Sequence, residues 1–449
     1  SIIKAYLKEI AQKVLNMAED EGVQAEAFLL NEKELSIEVN KEQVDTLKQA
    51  EEIGLGVRVI KGGSLGFAYT SDLQEKAIRS VVTEAINIAS YTSPDENNIL
   101  PKAQSEYPPL DFLYDRTFNE ISVEEKIDMA GQVERAARNH DPRIRIVERA
   151  VYEDTDYSSL VMNTNGLEAY ASSNFGGLFI FLVASENDDA QNGFSVMVKR
   201  KWDDLDPAQV GIEAARNALR SLNPKTIDSA KLPCILEPYI MTRFMNLIAA
   251  MVNAHSVQKG KSLFADKVGK SVASPVFNLL DNGRLPEGIA SFPFDGEGVR
   301  TTEKQVIAAG ILQGFLYDTY TASKAGINST GNAARGSFRG LPSVGTTNFI
   351  LSAGENSAQE LISSIDKGFY ITEVMGMHTA NPVSGDFSLG AAGLMIEKGR
   401  LTHAVRGVTI AGNLIDFLQD IEALGNDVRF FGSRAAPTVK LRALSIGGK

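Results

Sequence analysis

The chain reads as an α+β protein of two domains, residues 1–225 and 226–449, on three observations. Its first half carries the same order of elements twice: amphipathic helix, antiparallel meander, amphipathic helix. Its second half is rich in glycine and in short apolar runs. Between them, near Asn223-Pro224-Lys225-Thr226, the composition shifts and a new apolar segment, Leu232–Leu236, begins. A chain of 449 residues is also too long for one ordinary hydrophobic core.

The first segment places Ile3, Leu7, Ile10, Val14 and Met17 on one helical face with charges between them. A signal peptide would instead have an uninterrupted apolar centre. Alternating patterns then predict strands at 25–30, 35–39, 44–48, 55–60 and 65–69, with Gly62-Gly63 as the last turn. Ser71 and Gln74 form a capping-box pattern before a helix carrying Leu73, Ala77, Ile78, Val81, Val82, Ala85 and Ile88. Residues 92–120 are Pro-rich and aperiodic, as in a surface connection. The order then repeats. Ser122 and Glu125 cap a helix with Val123, Ile127, Ala130, Val133 and Ala137 on its apolar face. Strands are predicted at 144–152, 158–163, 167–172, 177–184 and 193–199, with Asn165-Gly166 as a type I′ signal. Asp206-Pro207 opens the closing helix.

In the second half, YIMTRFMNLIAAMVNA (239–254) is apolar around nearly its whole circumference, the mark of a core helix. His255 at its end reads as a dipole-favoured cap. Shorter helices are expected near 357–366 and 414–424. A hairpin is expected within 306–318, strands at 393–396 and 400–405 joined through Glu397-Lys398-Gly399, and a closing strand at 439–446.

Composition narrows the function. The formal net charge is −12, whereas DNA binding draws most of its affinity from Lys and Arg on phosphate, so direct nucleic-acid binding is disfavoured. No run of about 18 apolar residues is present, so no membrane helix is expected. The single cysteine, Cys234, cannot form an intramolecular disulfide and suits a reducing, cytoplasmic setting. Its neighbours Leu232, Pro233 and Ile235 predict a buried, inert thiol.

Gly260-Lys261-Ser262 and Gly269-Lys270-Ser271 resemble the end of a phosphate loop, but the glycine needed five positions earlier is His255 or Phe264. Gly54-x-Gly56 lacks a third glycine, because position 59 is Val. Catalytic zinc needs three converging ligands, commonly two His one helical turn apart. The four histidines, His140, His255, His378 and His403, share no turn, and His378 with His403 is a pair lacking a third ligand. No G-x-S-x-G is present. Glu373, Asp386, Asp295 and Asp318 are available carboxylates that turns and solvated surfaces also explain. Four glycine-flanked blocks remain, and they gather Asn332, Arg335, Thr347, Asn348 and Asp386 in loops beside strands, where binding residues commonly sit.

Six segments in order, LQGFLYDTYTA (312–322), STGNAAR (329–335), TTN (346–348), NPVSGDFS (381–388), IEKGRL (396–401) and VRGVTIAGN (405–413), resemble the TldD/PmbA family. The similarity extends over the whole chain. One branch of that family looks like a zinc peptidase with an HExxxH helix and a distant Cys ligand. The other, PmbA or TldE, lacks these and pairs with the first. Here the helix that would carry HExxxH has Leu247, Ile248 and Met251. The expected Cys is replaced within Phe430-Phe431-Gly432-Ser433. The chain therefore resembles the PmbA branch.

The resemblance implies a non-catalytic subunit of a heteromeric, cytoplasmic metallopeptidase acting on unfolded or small peptides, without catalytic residues or metal of its own. Zinc is then expected in an HExxxH-bearing TldD-like partner, and a homodimer in that partner's absence. Asn332, Arg335, Asn348 and Asp386 become the expected peptide contacts, with peptide added along strand edges beside 312–318 and 393–405. Two rivals stand beside it: an autonomous hydrolase using His378, His403 and Glu373, and a regulator of DNA gyrase acting by protein contact, which the family's older name invites.

Overall fold

The structure is a computed structural model describing residues 1–449. The first half contains helix α1 (Ile2–Asp20), strands β1 (Gln24–Asn40), β2 (Gln43–Lys61) and β3 (Ser64–Thr70), and helix α2 (Glu75–Ala89). It then repeats as α3 (Thr117–Glu120), α4 (Val123–His140), β4 (Ile144–Asn163), β5 (Glu168–Glu186), β6 (Asp189–Lys199) and α5 (Pro207–Leu219). The two meanders merge into one antiparallel sheet of order β3-β2-β1-β4-β5-β6, joined at the β1–β4 ladder. The duplication is repeated in detail. A Cβ on Gly66 of β3 would lie 1.9 Å from the carbonyl oxygen of Ala85 in α2, and one on Gly193 of β6 would lie 2.2 Å from that of Ala214 in α5. In each repeat a glycine lets the second helix touch the third strand.

The strands are longer and fewer than periodicity predicts. Segments 25–30 and 35–39 are one strand, as are 44–48 with 55–60, 144–152 with 158–163, and 167–172 with 177–184. Two cores explain this. Ala25, Ala27 and Leu29 share a cluster with α1 and α2, whereas Leu35, Ile37 and Val39 share one with α4 and α5. The polar stretch Asn31–Glu34 crosses the gap between those cores. It stays in the strand because it is paired on both sides, to β2 and to β4.

Two local expectations also need correction. Asn165-Gly166 is not a two-residue type I′ turn: only Gly166 has positive φ, and the Asn163 side chain accepts from the Asn165 and Leu167 N–H groups across a wider loop. No Ser71/Gln74 capping box forms. Gln74 occupies the N-cap without a side-chain bond, and its own N–H is held by Asp72 at 3.0 Å. Ser122 and Asp206 do cap α4 and α5 through their side chains.

The second half comprises β7 (Ala230–Leu236), α6 (Pro238–Met251), α7 (Ala254–Gln258), β8 (Leu279–Asn282), β9 (Glu303–Ala308), β10 (Ile311–Leu312), α8 (Thr319–Ala325), β11 (Ala333–Ala334), β12 (Ser343–Val344), β13 (Asn348–Leu351) and α9 (Ala358–Ser363). It continues with β14 (Lys367–Met375), β15 (Asp386–Glu397), β16 (Arg400–Asn413), α10 (Leu414–Gln419), β17 (Ile421–Leu424), β18 (Arg429–Phe431), β19 (Arg434–Ala436) and β20 (Val439–Gly447). One sheet has the order β10-β9-β8-β13-β19-β18. In the other, β16 pairs with both β15 and β20, so β16-β15-β14-β7-β20 closes into a ring with β17 outside β20.

Helix α6 lies in the 45-residue core shared by these sheets, and Ile240, Met241, Phe244, Met245, Leu247, Ile248, Met251 and the following Val252 are all buried. It ends at Met251, so His255 is not its cap. Asn253 starts a new short helix there and accepts the His255 N–H. The helix expected over 414–424 stops at Gln419, because Ile421–Leu424 pairs with β20. The fold is α+β throughout.

Candidate functional site: a charged clasp and a cleft between the halves

On β1 the odd-numbered residues serve the helix-covered face, and the even-numbered Glu26, Phe28, Leu30 and Glu32 face the second half of the chain. Gly54 and Gly56 of β2 are cross-strand partners of Leu30 and Phe28, hence on that same face. A Cβ on Gly54 would sit 2.1 Å from the Phe338 ring, and one on Gly56 2.5 Å from the Phe338 carbonyl oxygen. This pair of glycines therefore receives Phe338, which explains a spacing that phosphate binding did not.

Beside it lies a buried clasp of charges. Arg335 places Nη1 2.6 Å from Glu26 and 3.1 Å from the Gly296 carbonyl, donates from Nε to the Gly340 carbonyl at 3.3 Å, and lies 4.4 Å over the Phe28 ring. Arg58 bonds Glu26 and, at 2.9 Å, Glu297. Burial disfavours the Glu26 charge, but Arg58 and Arg335 outweigh it and its pKa falls. Burial also works against Arg58, and Glu26 with Glu297 outweighs it so that its pKa rises. For Arg335 burial prevails and the pKa falls. Two arginines are thus matched by two glutamates.

Asp295 is the carboxyl left over. It accepts N–H bonds from Glu297, Val299 and Ala333 at 2.9–3.1 Å, yet burial and the Glu297 carboxylate push it up to about 8. Burial of a charge without its own counter-ion favours the neutral acid.

Of the predicted peptide contacts, Asn332 and Asn348 are buried, and both N–H donors of each are taken by protein. Asn332 donates to Asp281 (2.8 Å) and to the Gly345 carbonyl (3.0 Å). Asn348 donates to the Asn282 carbonyl (2.8 Å) and to Ser291 (2.9 Å). Asp281, fully buried, also accepts both the N–H and the hydroxyl of Thr347 and lies 3.2 Å from Lys304. Fixed in this way, the two Asn side chains brace the loops and have no N–H left for a peptide. Arg335 differs in that its Nη2 has no partner, but that atom is buried out of reach of solvent.

Asp386 lies elsewhere, exposed and bonded to Asn413 at 3.1 Å, beside Asn381, whose side chain holds the Val383 and Ser384 N–H groups. The other carboxylates are structural too. Asp318 caps α8 in a capping box with Thr321, and Glu373 pairs with Arg406 at 2.6 Å. His378 and His403 are not brought together. One follows β14, whose end faces Gly390; the other sits beside Leu394–Ile396, on the order of 15 Å along the ladder. The strand edges expected to take peptide are also largely occupied. β15 is paired on both sides, Ser271 bridges Ile311, and Lys225 bridges Val405.

Between the halves lies a cleft of about 420 Å³. Its floor is Phe28, Leu30, Glu32, Thr155, Tyr157, Ser159 and Phe175 of the sheet, and its roof comes from loops carrying Phe292, Phe294, Asp295 and Arg335. Sequence reasoning missed Glu26, Arg58, Asp281 and Glu297. For Glu26 and Arg58 the available signal was a charge at an even position of a strand whose odd positions are apolar; Asp281, at an odd position of β8, and Glu297, in a turn, carry no such pattern.

This architecture, a duplicated α+β sheet clasped to a β-ring and sheet around a central helix, matches known proteins throughout. Family models of PmbA/TldA metallopeptidase domain 1, central domain and C-terminal domain match residues 25–89, 116–222 and 229–448. The chain belongs to the PmbA/TldD metallopeptidase family. It is 29% identical to the metalloprotease PmbA homolog of Haemophilus influenzae, over all of this chain and 98% of that protein. Among solved structures, a Thermotoga maritima protein named for a proposed modulation of DNA gyrase superposes with a TM-score of 0.91 at 32% identity, covering 98% of this chain and 100% of that one. TldE of Thermococcus kodakarensis shares the fold, with a TM-score of 0.89 at 22% identity over 98% of this chain and 100% of that one.

The family name implies a metal, so the residues of the helix where the resemblance puts it matter. Leu247, Ile248 and Met251 are buried among apolar side chains. The hairpin of β18 and β19, where the resemblance puts a Cys, packs against α6 through Arg434, whose Nε donates to Asn246 at 2.5 Å. Hydrocarbon and a guanidinium do not suit a divalent cation. Nowhere do three His, Cys, Asp or Glu side chains gather in a way that could hold one. These residues do not fit zinc.

Proposed function

We propose that this chain is the PmbA/TldE-type, non-catalytic subunit of a heteromeric cytoplasmic metallopeptidase acting on unfolded or small peptides. The observation that carries the proposal is α6. Its positions Leu247, Ile248 and Met251 are 8%, 0% and 0% exposed, in the helix where the resemblance puts the metal-binding residues of the other branch. A zinc-bearing paralogue with HExxxH would supply the metal and the general base. This chain would supply a rigid companion surface, and in the paralogue's absence it would pair with itself.

The test is to purify the chain alone, measure its zinc, and assay peptide cleavage before and after adding the paralogue. Little zinc and no turnover alone, with zinc-dependent cleavage after mixing, is the expected result. Stoichiometric, tightly held zinc with turnover in the isolated chain would overturn it.

A further inference from the structure

The cleft between the halves holds a charge that the protein leaves unmatched. Its charged or acidic lining residues are Glu32, Asp295 and Arg335. Arg335 is matched from outside the cleft, where Glu26 takes its Nη1 at 2.6 Å. Burial holds Asp295 as the neutral acid, with a pKa pushed up to about 8. Glu32 differs from both. It is half-buried, no cation neutralises it, and burial together with the neighbouring Glu34 carboxylate raises its pKa.

The pleat of β1 aims this side chain. Glu32 shares a face with Phe28 and Leu30, which line the cleft with it, whereas Asn31 and Lys33 line a groove on the helix-covered side. Its cross-strand partner on β4 is Tyr157, whose ring stacks on Phe292 with centroids 5.7 Å apart. Phe292 in turn meets Phe294 edge-on at 4.9 Å. A carboxylate beside aromatic rings is the chemistry that holds an organic cation: the carboxylate supplies charge, and the rings add cation–π attraction and cover an aliphatic stem. An anion would be repelled by Glu32, and a neutral group would leave that half-buried charge without a partner.

We propose that this cleft binds a lysine or arginine side chain of a peptide, with its cationic head on Glu32 and its methylene stem against Leu30 and the Tyr157–Phe292 pair. The inference rests on the peptide-handling reading above for its ligand class and does not need a partner chain. The cleft, at about 420 Å³, is in the range of small-ligand pockets.

The experiment is calorimetric titration of the isolated chain with N-acetyl-Ala-Lys-Ala-amide, in which lysine carries the one charge, and with the same peptide bearing uncharged norleucine instead. Saturable one-to-one binding of the lysine peptide is expected, weakened about tenfold or more by norleucine. Glu32→Gln should bring the lysine peptide down to the level of the norleucine peptide, while Glu9→Gln, on the exposed side of α1, should leave it unchanged. That contrast separates a site from the general pull on cations of a chain with net charge −12. Thr155→Trp, which fills the floor, should abolish binding while its thermal melt reports an intact fold. Equal affinity for the two peptides, no binding of the lysine peptide, or undiminished binding by Glu32→Gln or Thr155→Trp would each overturn the proposal. Zinc with turnover in the isolated chain would overturn the subunit reading alone, since none of these titrations depends on metal.

Discussion

Arg58 Nη2 lies 2.9 Å from the carboxylate of Glu297, across 239 positions of chain, with both side chains almost wholly out of solvent. Removing one partner of such a pair leaves the other charge buried and unmatched, which costs about 3–5 kcal/mol. Glu297→Gln and Glu26→Gln should therefore each lower the urea midpoint strongly. The exposed pair Lys13–Glu9 offers the control, and Glu9→Gln should change the unfolding free energy by no more than about 0.5 kcal/mol. Equilibrium unfolding of the three variants checks the contrast.

Gly54 and Gly56 both face Phe338, but with different consequences. At Gly54 the obstacle is the tip of the Phe338 ring, whose para carbon lies on the ring's rotation axis, so relief needs the whole side chain to swing about χ1. At Gly56 it is the Phe338 backbone carbonyl, which cannot move without shifting its loop. Gly56→Ala should destabilise by about 1–3 kcal/mol, as overpacking does, and Gly54→Ala by less. Phe338→Ala, which empties a fully buried site, should cost about 3–5 kcal/mol. The order of the two alanine variants, read from thermal melts, is the decisive measurement.

These residues show where the sequence was legible. The caps at Ser122 and Asp206, the all-round apolar α6 and the buried Cys234 follow from local chemistry, and each lies where periodicity puts it. The duplicated order of helices and strands was legible for the same reason. The merging of strand segments was not, because Asn31–Glu34 looks like a turn until two cores on either side of it are known. The clasp was least legible. Glu26 and Arg58 alternate with apolar residues, as solvent-facing charges do, and only the loop around Arg335, hundreds of residues away, buries them. Asn332 and Asn348 were found through their loops, but their role as braces depends on Asp281 and Ser291, to which no local pattern points.

Cys234 in β7 is wholly buried, and burial pushes its thiol up to about 12. Only the thiolate attacks a disulfide reagent, and here both ionisation and access are suppressed. A thiol reagent at pH 8 should leave the native chain unlabelled and react once per chain in denaturant. The labelling rate under native conditions should then fall in any experiment that stabilises the fold, so it serves as a probe of opening for the clasp variants. Prompt labelling of the native chain would contradict the burial of β7.

Asp295 gives the clasp a pH dependence of definite sign. Its folded pKa, about 8, lies above the ordinary aspartate value of 3.8, so the folded state binds the proton more tightly than the unfolded chain does. Its contribution to stability is complete below about pH 4 and is lost as pH rises toward about 8. Glu26 acts the other way. Its pKa is lowered, so its contribution is present at neutral pH and disappears in acid as the carboxylate is protonated. Between pH 5 and 8 Glu26 stays ionised, and the Asp295 slope should stand out as a falling urea midpoint. Asp295→Asn cannot titrate, and whatever its absolute stability, its midpoint should be flatter over that interval. Tyr107, whose hydroxyl donates to the Gly298 carbonyl and whose pKa is raised by burial and by Asp295, stays neutral throughout. A wild-type midpoint as flat as that of the Asn variant would mean that Asp295 is already ionised in the folded clasp.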